Sequence, residues 1–404
     1  MKTVVLEQLI EALDLPDSAY EKAEKRYKDI GAWLEREQSN CSALSPHVFA
    51  QGSFRLGTAI RPLNEAEEYD LDLACKLRDG VTKQSHTQEA VKRLLQQDIE
   101  AFRTYRGISA PVESKHRCVR LEYQDDFSFH MDIVPCIPAT PPRRNLIKES
   151  MIKSGEDLDL ASQVAELTVA ITDDRHDGYR SICGDWLISN PEGYARWFEF
   201  RMRQAKTFLM KRAEALMEAR VDDLPYYQWK TPLQRCVQLL KRHRDEWFKS
   251  NGESKPISVI ITTLAGRSYK GESNIGDAMN TILDQMDTFI SYTPPRVPNP
   301  VNPAEDFADR WSMPKYAHLR LEDNFRAWLA AARADFENIS GSDDSSFIVK
   351  QASQKLAVVL NENKLRTALD LTSAPNIRIP KEHNITDASK PWRSDPENGD
   401  RAVL

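Results

Sequence analysis

QGSFRLGTAIRPLNEAEEYDLDLACKL, residues 51–77, sets a Gly-Ser pair ahead of a short helix-like run and then places Asp70 and Asp72 alternately inside an apolar strand pattern. Acidic residues are poor strand formers, and turning them inward is costly unless something compensates their desolvation. Such a conflict between local pattern and burial marks a functional site. Residues two apart share a strand face, so Asp70 and Asp72 point one way while Tyr69, Leu71 and Leu73 point the other.

The stretch FSFHMDIVPCIP, residues 127–138, repeats this logic. Phe127, Phe129, Met131 and Ile133 form one face, and Ser128, His130 and Asp132 the opposite one. As neighbours in one sheet, the two strands bring Asp70, Asp72 and Asp132 together. Three carboxylates at close quarters repel and raise one another's pKa values unless a cation sits between them. An all-oxygen, highly charged ligand set suits Mg²⁺ or Mn²⁺. Two such ions, about 3.5–4 Å apart, clamp the attacking and leaving oxygens of a phosphoryl displacement.

The Gly-Ser pair supplies the complementary part. Gly52 allows close backbone approach, and a helix N-terminus offers N–H groups to phosphate oxygens. Ser53 adds a hydroxyl, with Arg55 and Arg61 as further neutralising charges. A lone D-x-D is more often a solvent-facing edge, and a lone Gly-Ser carries little information. The ordered set of Gly-Ser, D-x-D and a third Asp on a later strand is far more restrictive.

The 404 residues suffice for one large two-lobed unit or two domains. With 41% hydrophobic and 29% charged residues, the composition is that of a soluble globular protein. No apolar run approaches the roughly 18 residues needed to span a membrane. The opening MKTVVLEQLIEALDLPDS carries acids within its apolar part and does not read as a signal peptide. A net charge of −6 argues against a general nucleic-acid-coating surface. The cysteines Cys41, Cys75, Cys118, Cys136, Cys183 and Cys236 include no C-x-x-C pair, which points to reduced thiols rather than a disulfide framework. His116 and Cys118 lack a second ligand pair, so zinc is not expected.

A helix is expected over 18–35, opened by a capping box of Ser18 and Glu21. Strands follow over HVFAQ and YDLDLACKL, then a helix over 86–105. Two more strands, HRCVRLEY and the 127–138 stretch, are joined through an Asp125-Asp126 turn. Helical spacing recurs in YARWFEFRM (194–202), 233–248 and 321–336, and YTPPRVPNPVNP (292–303) reads as a rigid connector. The expected division is an N-terminal helical segment (1–45), an α/β core (46–145), a bridging helical region (146–225), a helical lobe (226–372) and a polar tail (373–404).

The Gly-Ser, D-x-D and third-carboxylate set resembles the nucleotidyltransferase superfamily typified by DNA polymerase beta. The finer text is similar to the bacterial CD-NTases, relatives of cyclic GMP-AMP synthase that make cyclic oligonucleotide signals in anti-phage CBASS operons. Six blocks carry that likeness: QGSFRLGTAIRP (51–62), EYDLDL (68–73), HMDIVP (130–135), SNPEGYARWF (189–198), TPLQRCVQLLKRHRD (231–245) and NPVNPAEDFADRW (299–311).

The resemblance implies an α+β fold, with a mixed-sheet lobe and a helical lobe flanking a cleft. It implies a metal-dependent enzyme that joins NTPs, ATP among them, into a cyclic di- or trinucleotide and releases pyrophosphate. Asp70, Asp72 and Asp132 are then the catalytic metal ligands for two Mg²⁺ or Mn²⁺ ions, and Asp132 helps activate the acceptor hydroxyl. Gln51, Gly52, Ser53 and Arg55 fall at the nucleotide, with Lys241 and Ser258 from the helical lobe. The same likeness implies a bacterial cytoplasmic setting, an effector triggered by the product, and a regulatory protein from the same operon. No membrane and no obligatory nucleic acid are implied.

The bland alternatives are that Lys241 is a solvated helix charge and Ser258 an N-cap for the helix after Pro256. His130 fits a structural role beside the acids better than proton transfer, and Tyr194, Trp197 and Phe198 fit core packing better than base stacking. Two rival functions remain open on the residues. One is a linear nucleotidyl-adding enzyme acting on RNA, protein or a small molecule; the other is an inactive nucleotide-binding scaffold. The final SKPWRSDPENGDRAVL reads as a disordered end, with a docking or conjugation tail as the alternative.

Overall fold

The computed structural model describes residues 1–62, 69–123, 129–203 and 230–373. Helices α1 (Thr3–Leu13) and α2 (Asp17–Glu35) lead into strand β1 (Pro46–Ala50), the short helix α3 (Gly52–Leu56), β2 (Tyr69–Leu77) and α4 (Gln88–Arg106). Strands β3 (Glu113–Ser114), β4 (Val119–Tyr123) and β5 (Phe129–Pro138) follow, then α5 (Pro141–Lys153), α6 (Leu158–Glu166), β6 (Val169–Ile171) and β7 (Leu187–Ser189). Next come α7 (Pro191–Arg203), α8 (Pro232–Trp247), α9 (Ser258–Ser268) and α10 (Ile275–Gln285). A small hairpin of β8 (Pro298–Asn299) and β9 (Asn302–Asp306) precedes α11 (Leu321–Gly341), α12 (Ser345–Leu356) and α13 (Glu362–Ser373).

Among the described residues, seven strands form one mixed sheet in the order β1-β2-β5-β4-β3, with β6 on β5 and β7 on β6. Only β2 and β5 pair in parallel; the other ladders are antiparallel. Two parallel strands need a crossover rather than a tight turn, and α4 lies in that connection. One face of the sheet is apolar: Leu71, Leu73, Cys75, Phe129, Met131 and Ile133 are buried against α2 and α4. Helix α4 contributes Val91, Leu95, Ile99 and Phe102 at three- and four-residue spacing. At about 1.5–3 kcal/mol for each such side chain, this packing outweighs the helix propensity of so charged a segment.

A second hydrophobic cluster gathers α1 and the helices from α5 onward, centred on Leu233, Val237, Leu240, Ile261, Leu264, Trp328 and Phe336. Helix α1, first in sequence, packs on α8, α10 and α13. Leu56, at the end of α3, joins this helical cluster, whereas Phe54 stays with the sheet. The loop after α3 therefore stands where the two cores meet.

Several local expectations are corrected. Helix α2 begins at Asp17 behind Pro16, whose carbonyl accepts from Ala19 N at 2.9 Å, and it has no side-chain cap bond. Ser18 thus lies inside the first turn, two positions past the N-cap and too late to form the capping box with Glu21. The strand expected from His116 begins at Val119, because the Lys115 and His116 carbonyls instead accept from the buried ammonium of Lys92. The proline-spaced stretch 292–303 is more than a connector, since it holds β8 and the start of β9. The Asp125-Asp126 turn and residues 374–404, with the proposed tail, lie outside the described residues.

Candidate active site

The β2–β5 register sets Asp72 beside Asp132 and Asp70 beside His130. Asp70 is open, its side chain 72% exposed. Asp72 is half-buried, and its carboxyl is pushed up from 3.8 to about 6. Burial is the largest cause, followed by the charges of Asp70 and Asp132, and the cations of Lys241 and Arg120 oppose it. Desolvated negative charge of this kind favours a counter-cation.

The turn before α3 explains why glycine precedes serine. Antiparallel pairing sets Ala50 opposite Leu73, and the amide of Gln51 donates to Asp72 O at 2.8 Å. The Gln51 side chain donates to Leu73 O at 3.1 Å and pins the turn to β2. The next residue, Gly52, then lies directly over Asp72 with φ +65°, and a Cβ there would sit 2.0 Å from Asp72 Oδ2. Both the dihedral and the contact exclude a side chain.

Helix α8 approaches from the other side. Gln234 Nε2 donates to Leu56 O at 2.9 Å, Gln238 Nε2 to Ala59 O at 2.7 Å, and Lys241 Nζ to Thr58 O at 2.9 Å. Arg242 donates to Arg61 O. These side chains hold the 56–61 loop by its carbonyls and so tie the segment after the Gly-Ser turn to α8. Lys241 is buried, and its ammonium is lowered to about 8, first by burial and then by Arg244; Asp245, Asp72 and Asp70 oppose the shift.

These elements enclose a cleft of about 520 Å³. Gln51, Gly52, Ser53, Arg55, Arg61, Asp70, Asp72, Lys241 and Ser258 all border it. Arg55 is turned away to Glu199 on α7, 2.6 Å from Nη1 to Oε1. Ser258 is not the N-cap of α9: Ile257 occupies that position, and Ser258 Oγ accepts from Arg244 Nη1 at 2.8 Å. Asp132 is beside Asp72 on the same face of the sheet, yet both its oxygens accept from Arg120, Nε to Oδ1 and Nη2 to Oδ2, each at 2.7 Å. Among the described residues, no group of three or more His, Cys, Asp or Glu is disposed to hold a metal ion. The open Asp70 and the desolvated Asp72 fit a hard divalent cation as a pair, with the third oxygen source engaged by the guanidinium.

His130 sits between Asp70 and Glu122, 3.7 Å and 3.4 Å away. Trp197 and Phe198 are core residues, 1% and 0% exposed. Tyr194 borders the cleft, with its hydroxyl 2.8 Å from Thr263 Oγ1.

Comparison with known proteins places this geometry. The family model described as "Cyclic GMP-AMP synthase DncV-like, nucleotidyltransferase domain" matches residues 46–135. A c-di-GMP synthase of Roseivirga ehrenbergii is 31% identical over 314 residues, covering 76% of this chain and 72% of that protein. The chain belongs to the DncV-like CD-NTase family. As a CD-NTase it is a nucleotidyltransferase. The cyclic dinucleotide synthase CdnG of Bradyrhizobium diazoefficiens is 25% identical over 326 residues, 76% of this chain and 69% of its own. The structure of that CD-NTase in complex with GTP shares the fold, with a TM-score of 0.60 at 19% identity over 92% of this chain and 98% of the other.

The sequence reading did not single out Gln234 and Gln238 of this CD-NTase. Their signal was present: two glutamines at i, i+4, with Lys241 three residues on, interrupt an otherwise apolar helix stripe. Asn299, from the segment read as a connector, also borders the cleft, as do Glu305 and Phe307 just beyond that segment. Lys241→Met is expected to weaken binding of a non-hydrolysable NTP by about 10- to 100-fold, since a charge-assisted hydrogen bond is worth about 1.5–3 kcal/mol. Calorimetric titration checks this, and unchanged affinity would remove Lys241 from the triphosphate site.

Proposed function

We propose that this enzyme joins two nucleoside triphosphates, GTP foremost, into a cyclic dinucleotide with release of pyrophosphate. The observation that carries the reading is the turn: a glycine backbone pressed onto Asp72, with Asp70 and Lys241 bordering the same cleft. The names of the Roseivirga and Bradyrhizobium relatives and the GTP complex of the latter support the guanine preference.

In this reading the triphosphate lies along Gly52, Ser53 and Lys241, with Ser258 nearby, and Asp70, Asp72 and Asp132 would hold two Mg²⁺ or Mn²⁺ ions. When bound, the divalent cation neutralises triphosphate charge and polarises the phosphoryl oxygens. Asp132 accepts the proton of a ribose hydroxyl as that oxygen bonds the α-phosphorus of the second nucleotide. The α–β bridging oxygen leaves with pyrophosphate. The linear product then turns in the cleft, and the same step, repeated, closes the ring. Positioning and electrostatic stabilisation supply most of the rate. Gln51 positions the turn, and Arg55 ties it to α7. The product acts as a second messenger on an effector in the bacterial cytoplasm during phage infection, with a regulatory protein as a further partner.

Purified protein with Mg²⁺ or Mn²⁺ and each NTP in turn tests this. GTP is expected to release pyrophosphate and give a phosphatase-resistant product with the mass of a cyclic dinucleotide. A phosphatase-sensitive ladder would instead identify a linear nucleotidyl-adding enzyme. Nucleotide binding without turnover would identify a scaffold.

A further inference from the structure

Arg120 presents its guanidinium edge-on to Asp132, and the reaction outlined above uses Asp132 but gives Arg120 no part. The two residues face each other across the antiparallel β4–β5 ladder. Nε and Nη2 donate to separate carboxylate oxygens at 2.7 Å each, the fork geometry in which arginine binds carboxylate most strongly. Both side chains are sheltered, 22% and 23% exposed, so the pair is only partly screened by water. Asp70 and Asp72 border the cleft, whereas Asp132, in register with Asp72, is turned to Arg120.

At Asp72 the charges of Asp70 and Asp132 are set against those of Arg120 and Lys241, with Glu122 and His130 beside Asp70. Arg120 therefore supplies, from within the sheet, positive charge that a divalent cation brings when it binds. The two compete for the same oxygens.

We propose that Arg120 is a positioning residue that latches Asp132 in the empty enzyme, discourages loading of free divalent cation, and yields the carboxylate when cation and nucleotide enter together. The proposal rests on the reading that Asp132 is a cation ligand of the reaction centre. Its consequence is ordered loading: Asp70 and Asp72 meet the incoming cation first, and Asp132 completes the site afterwards.

The test is binding of Mn²⁺ to the full-length protein without nucleotide, followed by the electron paramagnetic resonance signal of free Mn²⁺. Arg120→Gln is expected to bind Mn²⁺ at least tenfold more tightly than wild type, and the gain is expected to vanish in Arg120→Gln/Asp132→Asn. Equal affinity of Arg120→Gln and wild type, or a gain that persists without Asp132, would overturn the latch. A merely structural Arg120 would change the melting temperature and leave the Mn²⁺ isotherm alone. If Arg120→Gln does not fold, Arg120→Lys, which keeps the charge and loses the fork, is expected to show a gain of threefold or more, and wild-type affinity there would likewise overturn the proposal. The underlying reading is tested separately: with a non-hydrolysable GTP analogue, Asp132→Asn must weaken Mn²⁺ binding. If it does not, Asp132 is no ligand, whatever Arg120→Gln does.

Discussion

Asp72→Asn is expected to abolish turnover while raising stability. The side chain keeps its shape and its place under Gly52, so the turn survives. What is lost is the negative charge that, with Asp70, fits the cation. Charge stabilisation of this kind is worth several kcal/mol, so pyrophosphate release should fall by about a thousandfold or more.

The stability gain follows from the carboxyl's own cost. Its value rises from 3.8 in the ordinary state to about 6 in the fold, so the native state holds the proton more tightly than the unfolded chain. Below 3.8 both states are protonated and no cost exists. As pH rises from 3.8 to about 6, stability is lost, and above that the full cost is present. At neutral pH without divalent cation, removing the charge should return roughly 1–3 kcal/mol, discounted because Asp72 is only half-buried. Melting curves at pH 4 and pH 7.5 check this: wild type and variant should nearly coincide at the lower pH and separate at the higher. An inactive variant that is also less stable at pH 7.5 would mean that the loss of turnover reflects damage to the fold.

Gly52→Ala is expected to be the most damaging one-carbon change in the protein. The new methyl would lie 2.0 Å from Asp72 Oδ2 and 2.9 Å from its Cγ, on a residue with φ +65°. Left-handed backbone costs an L-residue about 1–2 kcal/mol by itself. The clash is worse for function than for stability, because relief requires either the turn or the carboxylate to move. A shift of about 1 Å at a reacting centre costs on the order of a hundredfold in rate. We expect turnover to fall at least that far, with a melting temperature lowered only modestly and weakened binding of a non-hydrolysable GTP analogue. Alanine at neighbouring Gly57, which has a similar φ of +65° at the end of α3, provides the comparison: strain there should cost stability and leave most of the activity. Equal activity loss at both glycines would make backbone strain, rather than the contact with Asp72, the cause.

The longer sheet strands β1, β2, β4 and β5 were legible because their signal is local, whereas the two- and three-residue strands β3, β6 and β7 carry too few residues to alternate. YDLDLACKL alternates, and the alternation becomes β2 with the same bounds. The 194–202, 233–248 and 321–336 periodicities became α7, α8 and α11 for the same reason. The α+β architecture with a mixed sheet and a helical lobe, which the family resemblance implied, agrees with that order of elements. Helix starts were less legible: the Ser18 capping box yielded to Pro16, and Ser258 slipped from cap to first turn, since a shift of one or two residues changes which amide a side-chain oxygen can reach.

By itself, then, the amino-acid order determined which faces are apolar, that two aspartates stand on the other face of β2, and that a glycine precedes the short helix. Only the tertiary structure decided what those groups meet. Strand register brings Gly52 onto Asp72 and Asp72 beside Asp132; helix α8 reaches the 56–61 loop across about 180 residues of chain, Lys241 bonding Thr58 O at a sequence separation of 183; and Arg120 takes both oxygens of Asp132. Periodicity along a chain records the surroundings of one element at a time, whereas a pair of distant side chains is fixed by packing free energy summed over many others.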